Sequence, residues 1–221
     1  MVTPNQITLI RVFLAMAAIG LFHGGATTGS AWGPYLSLAG LGLLVVTIFL
    51  DAVDGYVARR RGQSTVFGAT FDIAADRMVE SMFWIYFAAV GLISFWLPVI
   101  VIARGGFTDF LRAIALAEGQ TAFGEKTMMR TWWGRMLVGS RGSRAAYGIV
   151  KCAAFVALGG WLTLSHAPRW QAMLTAGLMQ GVRAGALLLA GATVAFCLVR
   201  GIPVLIEGAR FFRREPVAGR L

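Results

Sequence analysis

Charge is scarce in this chain. Only 14% of its 221 residues are charged, and none lies between Arg11 and Asp51. A soluble domain carries about 25% charged residues, so this composition excludes an ordinary water-soluble fold. Hydrophobic residues make up 57%, and the mean hydropathy of +0.71 fits a membrane protein. Cysteine is nearly absent. Cys152 and Cys197 both stand in apolar segments, where small buried hydrophobes are expected rather than a disulfide or a metal site. The two histidines, His23 and His166, fall at helix ends and read as interfacial polar residues. No internal repeat or low-complexity linker divides the chain, which is expected to be one membrane-embedded domain, 1–221. A cleaved leader is not expected, because Arg11 interrupts the first apolar stretch and Gly24–Ser30 reads as a loop.

The apolar segments predict an all-α integral membrane protein with six transmembrane helices. They fall at about 5–23, 34–59, 66–93, 96–118, 144–165 and 175–206. The first is expected to begin as an interfacial piece, since Pro4, Asn5 and Arg11 suit the headgroup region. Thr65 is a candidate N-cap for the third helix, and Pro203 a point where the last one bends or emerges.

The net charge is +10. Arg59, Arg60, Arg61, Lys126, Arg130, Arg135 and Arg141 fall after the second and fourth helices. Arg210, Arg213, Arg214 and Arg220 fall in the tail. The opposite side holds Arg169, with Arg183 near it. The positive-inside rule then puts both termini on the cytoplasmic side. Basic residues scattered over juxtamembrane positions give no nucleic-acid surface.

Acidic residues number ten, and four of them stand between positions 51 and 76. An ionised aspartate in an apolar helix costs several kcal/mol or more, so a cluster of four needs compensation, for which a divalent cation is the natural source. Asp51, Asp54, Gly55 and Ala58 share one helix face. Gly68, Asp72 and Asp76 share another. A basic connection, Arg59 to Thr65, joins the two segments. Antiparallel packing would bring Asp51 and Asp76 to similar depth, roughly 12 Å below that connection. The expected result is a carboxylate pocket beneath a positive rim, on the cytoplasmic side.

The pattern D-x-x-D-G-x-x-A-R-x8-G-x3-D-x3-D over residues 51–76 resembles the signature of the CDP-alcohol phosphotransferases, membrane enzymes of phospholipid synthesis. It fixes eight positions and covers about an eighth of the chain. Thr3–Arg11, Ile102–Arg104, Arg112 and Gly148–Lys151 resemble segments of the phosphatidylglycerophosphate synthase branch. The resemblance implies transfer of a phosphatidyl group from CDP-diacylglycerol to the hydroxyl of a polar alcohol such as glycerol 3-phosphate, with release of CMP. It implies two Mg²⁺ or Mn²⁺ ions held by Asp51, Asp54, Asp72 and Asp76, with Asp76 as general base. Gly55, Ala58, Arg59 and Gly68 would form the nucleotide site. A homodimer is implied too.

An acceptor that carries its own phosphate needs buried cations, for which Arg104, Arg112, Arg144 and Lys151 are the candidates. Internal pairing competes with this reading: Asp109 and Arg112 are one turn apart, and Glu80 lies at a depth to partner one of these cations. Glu80 itself has no assigned role. The segment Gly105–Asp109, the Gly124–Lys126 stretch and the Trp132–Trp133 loop depart from the synthase branch and leave the acceptor open. Inositol phosphate is an alternative acceptor, and a CDP-linked polar alcohol donating to a lipid is the reverse arrangement. Intramembrane aspartates also suit a cation transporter, but a transporter does not account for Gly55, Ala58, Arg59 and Gly68 at these spacings. A non-catalytic scaffold accounts for none of the four aspartates.

Overall fold

The structure is a computed structural model and describes residues 4–61, 66–117, 119 and 127–212; the side chains at 4, 52–61, 66, 67, 69 and 212 lie outside that description. Every regular element among the described residues is helical. The long helices are α1 (Pro4–Thr27), α2 (Gly33–Arg61), α3 (Val66–Ala89) and α4 (Trp96–Ala117). A single turn, α5 (Trp132–Gly134), runs into a π-helical turn at Arg135–Gly139. Then come α6 (Arg141–Ser165), the short α7 (Pro168–Gln171) and α8 (Ala176–Phe212).

Among the described residues six long helices overlap the six apolar segments, with shifted ends. α1 runs on to Thr27, so Gly24 and Gly25 are helical rather than loop. A Cβ on Gly25 would overlap the Ser37 hydroxyl and sit 2.8 Å from the Gly33 carbonyl oxygen. Glycine here lets α1 and α2 approach closely at their joint. α3 stops at Ala89, four residues short of expectation. Gly91 adopts φ +73°, and the bonds Gly91 N–H to Ala88 O and Leu92 N–H to Phe87 O, both 3.0 Å, close the helix as a Schellman turn. α6 starts earlier than expected because Ser140 caps it, its hydroxyl accepting from Ser143 N at 3.1 Å. α8 continues through Pro203 to Phe212; the proline removes one amide donor without ending the helix.

Four helices are long and apolar enough to cross a membrane: α1, α2 up to Asp51, α6 and α8. α3 and α4, at 24 and 22 residues, have the length as well. They differ in charge: α3 carries Asp72, Asp76, Arg77 and Glu80, and α4 carries Arg104, Asp109 and Arg112. Large apolar side chains such as Phe13, Phe49 and Leu188 point outward, as a lipid-facing surface requires.

The chain divides into two compact units, Met1–Pro98 with Lys151–Ala190, and Val99–Val150 with Gly191–Leu221. In the first, α2 packs on α1 through Gly40, whose Cβ position lies 3.0 Å from the Ala18 carbonyl oxygen. Phe83, Trp84 and Phe87 of α3 pack around Phe155 of α6 with ring centroids 5.2 to 6.1 Å apart. The Ser37 hydroxyl bonds His166 Nδ1 at 2.8 Å, so His166 ties the chain just past α6 to α2. In the second unit, Leu111, Ala115, Met128, Met129, Val138 and Val204 form the core. Glu207 is buried beside it. Its carboxylate accepts from the backbone N–H of Arg130, from Thr131 N at 3.2 Å and from the Thr131 hydroxyl at 2.5 Å.

Candidate metal and substrate site

α2 and α3 bring three of the four signature aspartates together. Asp51 comes from α2, and Asp72 and Asp76 from successive turns of α3. Carboxylate oxygens of all three lie within 4.8 Å of one another. Three hard oxygen donors at that separation suit a divalent cation such as Mg²⁺. Asp54 follows one turn after Asp51 on α2, but its side chain lies outside the described residues, as do those of Gly55, Ala58 and Arg59. Gly68 lies one turn before Asp72 on α3 and is half-buried.

Arg11 of α1 occupies the centre of this cluster. Its guanidinium pairs with Asp51, with Asp72 at 3.3 Å and with Asp76 at 2.5 Å. The sequence places Arg11 at the headgroup region. Instead its side chain is 1% exposed, whereas the three carboxylates are 41 to 51% exposed. The cation lies beneath and the acids open outward. The signal that could have found it is its isolation: Arg11 is the one charged residue in the first fifty, and a lone cation in an apolar helix needs an acid.

Beneath the aspartates is a small cavity of about 40 Å³, lined by Arg11, Asp51, Asp76, Glu80, Lys151 and the aromatic rings of Phe83 and Phe155, among others. That is room for about one water or ion. Lys151 of α6 meets Glu80 of α3 here, Nζ to Oε2 at 3.3 Å, and Arg77 stands 3.6 Å from the same oxygen. Glu80 thus pairs with Lys151 at the edge of the carboxylate cluster, the internal pairing that competes with phosphate binding at that lysine. A larger cavity of about 530 Å³ lies by the α1–α2 joint and α7, lined by residues such as Tyr35, His166 and Trp170. None of its lining residues is an acid, so it offers no carboxylate to a cation.

The remaining acceptor candidates belong to the second unit. Arg112 pairs with Asp109 at 3.4 Å, the internal pairing that competes with phosphate binding. Arg104 packs against Gly201, where an added Cβ would lie 2.7 Å from its Nε. The charges of Arg104 and Arg144 both bear on Arg200 of α8, a residue that sequence reasoning missed. Arg200 is buried, donates to the Leu137 carbonyl at 3.2 Å and stands 5.4 Å over the Tyr147 ring. A buried arginine subject to two further like charges suits an anion.

Apolar helices that gather carboxylates in one place define a membrane-embedded acidic site suited to a divalent cation. The family described as CDP-alcohol phosphatidyltransferase matches residues 1–182, and the chain belongs to it. It is 28% identical over 135 residues, 58% of its length and 70% of the relative's, to a CDP-diacylglycerol–glycerol-3-phosphate 3-phosphatidyltransferase of Bacillus subtilis. It is 32% identical over 116 residues to an archaetidylinositol phosphate synthase of Methanothermobacter thermautotrophicus. That match spans about half of each chain, 52% of this one and 54% of the relative. The crystal structure of a phosphatidylinositol phosphate synthase from Mycobacterium tuberculosis with CDP-DAG bound shares the fold, with a TM-score of 0.51, 21% identity and coverage of 100% of this chain and 92% of that one.

Proposed function

We propose that this protein transfers a phosphatidyl group from CDP-diacylglycerol to the hydroxyl of a phosphorylated polar alcohol, releasing CMP. The observation that carries the reading is the convergence of Asp51, Asp72 and Asp76 from α2 and α3, at the spacing of a family to which the chain belongs. Relatives named for glycerol 3-phosphate and for inositol phosphate products support a phosphorylated polyol as acceptor, with glycerol 3-phosphate first and inositol phosphate second. The family membership gives no support to a cation transporter.

In this reading Asp51, Asp54, Asp72 and Asp76 would hold two Mg²⁺ or Mn²⁺ ions. When bound, such ions would neutralise the diphosphate and the departing phosphate. Gly55, Ala58 and Gly68 are small enough for the cytidine to approach the helix backbones, and Arg59 would complete the nucleotide site. Asp76 takes the proton of the acceptor hydroxyl as the acceptor oxygen bonds to the lipid-bearing phosphorus. The bond from that phosphorus to the CMP oxygen breaks, and CMP leaves with the electron pair. Lys151 lines the cavity beside Asp76 and would draw the acceptor's own phosphate, with Glu80 holding the ammonium in place. Arg104, Arg144 and Arg200 form a second candidate phosphate site, while Arg112 serves Asp109 first.

We also propose that α3 and α4 cross the membrane, making six spans with both termini and the aspartates on the cytoplasmic side. Their extra charges belong to the chemistry rather than to a water-facing surface. Residues 1–221 would then act as one catalytic domain, within a homodimer. The test is CMP release from CDP-diacylglycerol by the purified protein, with Mg²⁺ and a panel of glycerol 3-phosphate, inositol phosphate and their unphosphorylated parents. Release that needs metal and a phosphorylated alcohol is expected. Full activity in excess chelator would sink the reading.

A further inference from the structure

Arg11 is nearly fully buried, and its guanidinium spans all three described aspartates of the cluster. This is more than a surface ion pair. Three carboxylates within 4.8 Å of one another repel, and one buried fork of N–H donors holds them together. Any divalent ion that takes the same carboxylates from their open side must share them with a cation already in place. A buried guanidinium cannot give up its acids freely, because an uncompensated buried charge is costly. Glu80 nearby is already engaged by Lys151 and Arg77. A nucleotide diphosphate, which the proposed reaction brings, is an anion that could make up the deficit.

We infer that Arg11 is the built-in counter-cation of the metal site: it keeps the three aspartates assembled before metal arrives and, by competing for them, makes tight metal binding depend on the arrival of a diphosphate. The inference rests on the metal reading given above and adds a binding order to it. It assigns Arg11 as a positioning residue, and it makes metal and nucleotide bind with mutual enhancement.

The test is a Mn²⁺ titration of purified, chelator-stripped protein, read by the electron paramagnetic resonance signal of free Mn²⁺, with and without CDP and with no acceptor. In the unaltered protein CDP should tighten Mn²⁺ binding about tenfold or more. In Arg11→Gln the ion alone should bind about tenfold more tightly, and CDP should add little. The same variant in chelator should melt several degrees lower than the parent and recover in Mn²⁺. Equal Mn²⁺ affinities and equal melting in the two proteins would overturn the inference while leaving the metal site intact. Absence of Mn²⁺ binding from both, at any CDP concentration, would overturn the metal reading and the inference together. If Arg11→Gln does not fold, the unaltered protein still decides: phenylglyoxal labelling of Arg11, followed by peptide mass spectrometry, should rise with Mn²⁺ and fall again with CDP. Labelling that ignores Mn²⁺ overturns the inference.

Discussion

Glu207 and the Asp51–Asp72–Asp76 cluster show two ways of keeping acids among apolar helices. Glu207 is surrounded by donors. The N–H groups of Arg130 and Thr131 and the Thr131 hydroxyl all point at its carboxylate. Thr131 in turn accepts from Gly134 N at 3.3 Å. The acid is satisfied, buried and closed off, and it fixes the segment leading into α5 against α8. The aspartate cluster is the reverse. Three acids share one guanidinium and remain 41 to 51% exposed on their outer side. A satisfied acid stabilises a fold, whereas an under-compensated set keeps binding capacity for an incoming cation.

The largest effect that could break this contrast concerns the cluster. Asp51→Ala or Asp72→Ala should lower CMP release by at least about 100-fold, because each removes a charged donor from the set. Neither should lower the melting temperature in chelator, since the repulsion among the acids falls along with the attraction to Arg11. Asp76→Asn should also stop turnover, by about 100-fold or more for loss of a general base, yet retain CDP binding better than Asp51→Ala. Equilibrium binding of labelled CDP beside a turnover assay separates the two roles. Normal turnover by Asp76→Asn would remove Asp76 from the base role.

How much of this was legible in the sequence follows from what each contact depends on. Asp51, Asp72 and Asp76 could be brought together from spacing alone. They lie on regular helices joined by a short connection, and helical rise then sets their depth. Arg11 could not, since its meeting with Asp51 spans 40 residues and depends on how α1 packs on α2 and α3. Glu80 could be read as a partner for one of the buried cations, but its choice of Lys151, 71 residues away, depends on how α3 packs on α6. The six apolar segments were legible, but their ends were set by local devices. The Gly91 turn, the Ser140 cap and the close approach at Gly25 each moved a boundary by a few residues. The turn at Trp132–Gly134 was not legible at all. It is held by the Thr131 cap and by Glu207, 76 positions further on.

A middle-sized effect sharpens the question of the acceptor. Arg104→Gln or Arg200→Gln should raise the KM for a phosphorylated acceptor about tenfold, the worth of one charge-assisted phosphate contact. The affinity for CDP-diacylglycerol should change little. Lys151→Gln separates the two candidate phosphate sites. If it alone raises KM, the acceptor phosphate is bound through Lys151, and the arginines of the second unit are structural.

The smallest effect on activity, and the sharpest on the contrast, belongs to Glu207. Glu207→Ala leaves the N–H groups of Arg130 and Thr131 without their acceptor. An unsatisfied buried donor costs about 1–3 kcal/mol, so a fall in melting temperature of several degrees is expected. Glu207→Gln should cost less, because the amide oxygen can still accept part of the donor set. Neither substitution should change metal affinity or the turnover of the folded fraction. Both should behave alike with and without chelator, since no divalent ion competes for an acid whose oxygens are already filled. The readout is a thermal melt of parent and both variants in Mg²⁺ and in chelator, beside CMP release per folded protein. A Glu207 variant that melts normally but loses metal-dependent turnover would erase the distinction, because Glu207 would then belong with the aspartates as a functional acid.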